Sequence, residues 1–413
     1  MSSKLLPSLP ILGELINEYS HSIKLDISNV YVIAVQHILV TTGSLFEYII
    51  KLGIKSSNIF LTGKLYSTNK DVYSSLEDLG INMYKTNPSK NFGQILEQQE
   101  KDVKKIWRDL KCKTKSDDLI IILDDGGVAI RTIPDRLIFE RRVFGIEQTT
   151  FGMKYKSNID YFPVIEVAKS AAKVNLEPNF ISRALNKKIQ YKVKRMSPKK
   201  IGVVGCGNIG LAMIRYFQKD NEIITYDNAK EDICVFNAKR VDSIETLMKE
   251  SDIIIGATGN DICQNIDWEN IINSNKVFIS VSSNDTEFKS LLLQYNKCIK
   301  KKKYRILDDL RINLTNGYQI KIIRGGTPAN FDNSYESCDK NEIELTRALL
   351  FSGILQILID ENYDENTKHV KLSSKYQEKI VQLWFKNNPS YTKLYPQNFI
   401  QLFHDRDWIE MHS

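Results

Sequence analysis

The sequence is poor in the residues that build metal centres and covalent frameworks. Its 413 residues include six cysteines (Cys112, Cys206, Cys234, Cys263, Cys298 and Cys338), dispersed with no C-x-x-C pair. That spacing argues against a zinc site and a disulfide-stapled fold, and suits a reducing cytoplasm. No window of about 18 apolar residues occurs, so no membrane-spanning helix is expected. Met1 to Pro10 lacks a charged head followed by a long apolar run, so no export signal is expected either. A strong excess of one charge is also missing, because 57 basic and 50 acidic side chains leave a net +7 and a pI near 8.8. The densest basic run, Lys297 to Arg305, reads as a solvated surface segment rather than a nucleic-acid patch. Histidine is scarce: of five, His369, His404 and His412 stand in the C-terminal tail.

What the chain does have is length for two domains of ordinary size and a glycine loop. Ile201 to Val204 reads as a buried strand, Gly205, Gly207 and Gly210 have the G-x-G-x-x-G spacing, and a helix opens near Leu211. Each glycine has a mechanical reason: a tight turn, close approach of a pyrophosphate to bare backbone, and close packing of helix on strand. Asn208 and Ile209, between the second and third glycines, fall where phosphates meet the unpaired N–H groups of a helix N-terminus. A second apolar strand, Glu222 to Asp227, ends in an acid about 20 residues beyond the first glycine, where a dinucleotide fold hydrogen-bonds the adenosine ribose. An acid there repels a 2′-phosphate, so NAD is expected over NADP.

The first half of the chain alternates apolar strands (Val30–Val35, Asn58–Thr62, Ile81–Tyr84, Leu119–Leu123) with amphipathic helical stretches. Uninterrupted apolar strands of this kind imply a parallel sheet covered on both faces, with ligands beyond the carboxyl ends of its strands. Two candidates lie at such ends. One is His37, otherwise a hydrogen-bonded loop histidine; the other is Asp124-Asp125-Gly126-Gly127, otherwise a turn and helix cap. Between about Arg141 and Lys200 the alternation lapses, and Lys187 to Lys200 reads as the crossing into the glycine-loop domain. The expected fold class is therefore α/β, with two doubly wound parallel-sheet, Rossmann-like domains, the second binding NAD. Residues 1–180 form a substrate or catalytic domain and 181–336 the NAD-binding domain. Residues 337–413 hold a helix returning to the first domain and a tail of mixed helix and loop.

In order along most of the chain come the histidine after the first strand, Ile-Leu-Asp-Asp-Gly-Gly, Gly-Ile-Glu-Gln-Thr-Thr, the lysine-bearing stretch before the glycine loop, the Ala257-Thr258-Gly259 turn, and Gly326-Thr-Pro-Ala-Asn330. Together they resemble the adenosylhomocysteinases. Members of that family use tightly held NAD to oxidise a ribose 3′-hydroxyl, expel homocysteine, add water and reduce the ketone again. The resemblance implies a cytoplasmic homo-oligomer with a nucleoside-like small-molecule substrate and no nucleic-acid or membrane partner. By position it places Lys173 beside the 3′-hydroxyl, His37 at the family's proton-handling histidine and Asp125 at its first-domain aspartate. Thr149 and Thr150 line cofactor and substrate, and Thr258, Gly259 and Asn330 contact the cofactor. Glu177 stands where the family has aspartate.

Other positions depart from the family. Gln148 replaces a glutamate that holds the ribose hydroxyls, turning a charged acceptor into a neutral amide. Pro178 replaces an asparagine near the lysine. Ser282-Ser283-Asn284-Asp285 stands where the family has Gly-His-Phe-Asp, and its later Gly-His-Pro string and Lys/Tyr-rich tail have no counterpart. The main expectation is thus a thioether hydrolase of adenosylhomocysteinase type, acting on S-adenosylhomocysteine or a related nucleoside or sugar by transient 3′-oxidation. Alternatives are an NAD-dependent oxidoreductase on a different small molecule and a non-catalytic NAD-binding paralogue.

Overall fold

The computed structural model describes residues 5–153, 161–193, 200–228, 237–360 and 368–393. Along them the chain forms two seven-stranded sheets. The first contains β1 (Val30–Ile38), β2 (Ile59–Thr68), β3 (Asn82–Tyr84), β4 (Leu119–Asp124), β5 (Arg142–Glu147), β6 (Val164–Glu166) and β14 (His369–Val370). Their order across the sheet is β14-β6-β5-β4-β1-β2-β3, and every neighbouring pair is parallel. The central strands are apolar because both faces are covered: Ile33, Ile120, Ile121 and Ile122 are fully buried. Each such isoleucine contributes about 1.5–3 kcal/mol on leaving water.

The second sheet contains β7 (Lys200–Val204), β8 (Glu222–Tyr226), β9 (Lys239–Arg240), β10 (Ile253–Gly256), β11 (Lys276–Ser280), β12 (Leu310–Asn313) and β13 (Gln319–Ile322). Its order is β12-β13-β11-β10-β7-β8-β9, parallel except for the β12–β13 pair. Both sheets therefore have the doubly wound order in which the strand sequence reverses beside the first strand, at β1/β4 and at β7/β10. Ligands of open α/β sheets bind beyond those reversal points.

The chain divides into two compact units, residues 1–86, 99–177 and 333–413, and residues 87–98 and 178–332. The short segment 87–98 belongs with the second unit, although its sequence position gives no hint of this. It is held there by Ile95 N–H donating to Asp285 (3.1 Å) and by a Lys289–Glu97 ion pair (2.5 Å). The tail also differs from the expected helix and loop. His369 and Val370 add an edge strand to the first sheet, pairing with Val164 and Ile165, and two residues are too few for any periodicity to register. The basic run lies on and after the six-residue helix Asn296–Lys301, where Lys297, Lys300 and Lys301 are exposed. No helix among the described residues is long and apolar enough to cross a membrane.

Candidate active site

In the first unit, the reversal point at β1/β4 carries a buried polar cluster. Strand β1 runs to Ile38, so His37 lies within its last residues rather than beyond it. The pairing of β1 with β2 slips there. Gln36 faces Gly63, yet Ile38 faces Thr68, so Lys64 to Ser67 bulge out opposite His37 alone. Bulges of this sort re-aim side chains beside active sites. Gly63 permits the fold-back, because a Cβ there would lie 2.1 Å from Thr68 Oγ1 and 2.7 Å from Ile38 Cγ1.

The bulge delivers two groups that the sequence did not single out. Ser67 Oγ lies 2.5 Å from His37 Nδ1. Lys64, 1% exposed, pairs with Asp125 Oδ1. The other oxygen of Asp125 accepts from Gln148 Nε2 and lies 3.2 Å from His37 Nε2. The two aspartates divide the alternatives between them. Asp124 accepts from Ile130 N–H (2.9 Å) and is the turn cap, whereas Asp125 is the cluster carboxylate. Gln148 Oε1 is buried with no hydrogen-bond partner among the described residues.

The electrostatics follow from this packing. Burial pushes Asp125 upward, but the Lys64 ammonium and then His37 more than offset it and hold the carboxyl well below the usual range. Burial pulls Lys64 down, and the Asp125 carboxylate and Tyr66 outweigh it, so the ammonium is retained. His37 moves down, chiefly by burial; Asp125 opposes this, and Lys64 and Arg347 reinforce it. Asp124 is raised to about 6 by burial, and Glu147 is raised well above its ordinary value by burial and by Asp124.

Glu147 sits beneath the first unit's glycine turn. Its carboxylate accepts N–H bonds from Gly126 (3.1 Å), Gly127 (2.9 Å) and Thr149 (2.7 Å), together with the Thr149 hydroxyl (2.6 Å). Thr149 Oγ1 also accepts from Gly152 N–H (2.9 Å), so this hydroxyl is already engaged within the first unit. Thr150 opens the four-residue helix Thr150–Met153.

Lys173 and Glu177 lie one turn apart on the helix Ala171–Val193, which has Pro178 inside it, and form an ion pair. Glu177 Oε1 accepts from Thr346 Oγ1 (2.7 Å) on the helix Lys340–Ile359. The adjacent Arg347 is buried, donates from Nε to Thr41 Oγ1 (3.1 Å), and stands close enough to act on His37. One helix thus serves both the lysine pair and the histidine cluster.

The second unit places the glycine loop at its own reversal point. Gly205 has φ +95°, a left-handed conformation that favours glycine. A Cβ on Gly210 would lie 1.9 Å from Gly205 O, so that glycine is required for contact between turn and helix. A Cβ on Gly207 would meet nothing within 4 Å among the described residues. That open space lies before the helix Asn208–Phe217, whose N-cap Gly207 has no side chain to satisfy the first N–H groups. Bare backbone, space and unfilled helix donors fit a pyrophosphate. Asp227 follows β8 and accepts the Cys206 N–H (2.5 Å), which draws its carboxylate to the loop.

Residues 169–261 match the family described as D-isomer specific 2-hydroxyacid dehydrogenase, NAD binding domain. The second unit is an NAD-binding domain. An uncharacterized Mycobacterium tuberculosis protein is 26% identical over 364 residues, covering 86% of this chain and 69% of that protein. Among solved structures, apo D-lactate dehydrogenase from Escherichia coli aligns over 66% of this chain and 79% of its own, with 16% identity and a TM-score of 0.32. NAD+-bound 3-phosphoglycerate dehydrogenase from Entamoeba histolytica aligns over 81% and 97%, with 11% identity and a TM-score of 0.40. The pyruvate reductase of Chlamydomonas reinhardtii aligns over 81% and 98%, with 11% identity and a TM-score of 0.37. The family match supports an NAD-dependent oxidoreductase of the 2-hydroxyacid dehydrogenase type, and it gives no support to thioether hydrolysis.

Around the glycine loop the remaining expected residues have definite surroundings. Thr258 and Gly259 direct their N–H groups to Glu287 (2.9 Å each), and the Thr258 hydroxyl joins them (2.8 Å). Glu287 also accepts from Ser282 Oγ (2.5 Å), and burial raises its carboxyl despite these donors. It supports the Ala257–Gly259 turn much as Glu147 supports the other glycine turn. Asn208 and Ile209 open the loop helix, and Ile209 packs against the apolar core beneath it. Asn330 is buried, and its main-chain oxygen accepts from Lys188 Nζ (2.6 Å). The missed groups Lys64, Ser67, Glu287 and Thr346 share a reason: each acts through a contact distant in sequence or through a bulge. Only Glu147 had a signal, since it stands inside the Gly-Ile-Glu-Gln-Thr-Thr string.

Proposed function

We propose that this chain is an NAD-dependent oxidoreductase acting on a hydroxyl group of a small polar molecule, a hydroxy acid, sugar or nucleoside. The observation that carries the reading is the glycine loop itself, with Gly210 closed against Gly205 and open space at Gly207, inside a stretch that matches an NAD-binding domain family. Gly205, Gly207, Asn208, Ile209 and Gly210 hold the pyrophosphate, and Asp227 takes the adenosine ribose. Bound NAD supplies a hydride acceptor.

The resemblance to adenosylhomocysteinases suggests the substrate groups. Lys173 hands a proton to Glu177 and, as the free amine, takes the hydroxyl proton. Gln148, fixed through its amide nitrogen on Asp125, presents Oε1 as an acceptor for a neighbouring hydroxyl. His37 is the hydrogen-bonding group at the cluster's accessible edge, with 13% side-chain exposure. A second reading, 3′-oxidation followed by thioether loss as in adenosylhomocysteinases, draws on the assembly of His37, Asp125 and Gln148 into one cluster. The NAD-binding family match favours the simpler oxidation.

The test is to purify the protein, reconstitute it with NAD, and offer hydroxy acids, polyols, adenosine and S-adenosylhomocysteine in turn. Absorbance of reduced nicotinamide with one of the first three, and no free homocysteine from the last, is the expected result. Homocysteine release would establish the second reading. Bound NAD that no candidate reduces would sink both and leave a non-catalytic NAD-binding protein.

A further inference from the structure

Within the first unit, Lys64 is a fully buried ammonium to which neither the sequence nor the oxidation chemistry assigns a task. We propose that Lys64 is the permanent counterion of Asp125 and thereby a positioning residue that keeps His37 a neutral imidazole, with Nε2–H on Asp125 and the Nδ1 lone pair on the Ser67 hydroxyl. The geometry carries it. Asp125 has two oxygens, and Lys64 takes Oδ1 while Gln148 and His37 share Oδ2. A carboxylate only accepts, so the ring nitrogen facing it is the protonated one. The opposite nitrogen, 2.5 Å from Ser67 Oγ, is then the acceptor.

A second positive charge at His37 would have to share a carboxylate that Lys64 already neutralises. Of the groups facing the ring, Lys64 and Arg347 oppose it and Asp125 favours it. Lys64, Tyr66 and Ser67 come from the bulge, with the Tyr66 ring centroid 5.8 Å away. Arg347 comes from the helix Lys340–Ile359, and Asp125 and Gln148 follow β4 and β5. Asp124 and Glu147 stand behind Asp125 and are themselves pushed towards their neutral forms by burial. His37 therefore acts as a base and acceptor towards the Ser67 hydroxyl and reaches a substrate only through it, while Asp125 is a fixed charge and not a proton carrier. Only the use made of that base rests on the oxidoreductase reading; the charge state stands without it.

The experiment is nitrogen-15 NMR of labelled histidine in the full chain, with the His37 signals assigned by their loss in His37→Gln. The wild type should show a neutral, Nε2-protonated His37 from about pH 8 to below its ordinary titration range near 6.5. Lys64→Arg should behave likewise. Lys64→Met should raise the His37 midpoint by at least about one unit, because the like charge is gone and the Asp125 charge is no longer neutralised by an ammonium. If Lys64→Met does not fold, Lys64→Gln, which can still donate to Asp125 but carries no charge, takes its place. An imidazolium at neutral pH in the wild type, an Nδ1-protonated ring, or an unchanged midpoint in the neutral variant would overturn the proposal. None of these readouts requires a substrate, so they fail independently of the function assigned above.

Discussion

At the scale of single residues, the two open questions of the glycine loop can be separated by adding one methyl group. Gly207 has ordinary extended backbone (φ −69°) and nothing within 4 Å of its missing Cβ. Gly207→Ala should leave the melting temperature of the NAD-free protein unchanged and reduce NAD affinity, by tenfold or more for each 1.4 kcal/mol lost. Gly210→Ala drives a methyl into Gly205 O at 1.9 Å and should lower both, with destabilisation of about 1–3 kcal/mol. Equal behaviour of the two variants in melting and in NAD titration would remove the distinct roles given to them. Lys173 is separable in the same way. Its ammonium is bound to Glu177 within the first unit, so Lys173→Met should abolish substrate-dependent reduction while NAD is retained, as read by absorbance of the bound cofactor.

At the scale of elements, the helix Lys340–Ile359 ties much of the first unit together. It carries Thr346 to Glu177, Arg347 to Thr41, and Glu344 to the N-terminus of the helix Pro10–Tyr19. Glu344 Oε1 accepts the Ile11 N–H at 2.7 Å in surroundings otherwise apolar, and burial pushes its carboxyl up to about 7. An acid raised on folding binds more protons folded than unfolded. The native state therefore loses stability as pH climbs from its unfolded value of 4.5 through about 7. Glu344→Gln keeps an acceptor for Ile11 and removes the charge. It should match the wild type near pH 5 and exceed it by roughly 1–3 kcal/mol near pH 8. Urea unfolding at the two pH values checks this, and an equal difference at both would show that Glu344 does not titrate in the fold.

At the scale of the whole molecule, the two sheets share the order of their first five strands, and each has a glycine turn at its reversal point, but the two turns differ in what engages their N–H groups. Gly126 and Gly127 give their N–H groups to Glu147. In the second unit the corresponding carboxylate, Glu287, serves the neighbouring Thr258–Gly259 turn and leaves Gly207 and the helix start clear. Calorimetric titration should therefore give one NAD per chain. Amide exchange should slow on NAD addition around Gly205–Leu211 and Asp227 and stay unchanged at Gly126–Gly127. Two equivalents bound, or protection at Gly126–Gly127, would contradict the assignment. Protection at Thr149 and Thr150 would show that they too reach the cofactor.

How much of this was legible in the sequence depends on the range of the interaction concerned. Apolar runs, their alternation with helices, the glycine spacing and the acid after β8 are local patterns. Local physics alone made them an α/β chain with a glycine turn between strand and helix, because strand period, turn conformation and helix-start chemistry are settled within a few residues. The positions of His37, Asp125, Gln148 and Lys173 were legible as strand ends and motifs. Their partners were not. Lys64 and Ser67 reach His37 only because β2 bulges by four residues against one on β1, and Thr346 meets Glu177 across 169 positions of chain. Register and long-range packing decide such contacts, and they exist only once the sheet has closed. By itself the sequence determined which turn has the glycine spacing of a nucleotide loop. The tertiary structure alone decided which charges face the histidine, because a buried charge takes its meaning from the neighbours that folding brings to it.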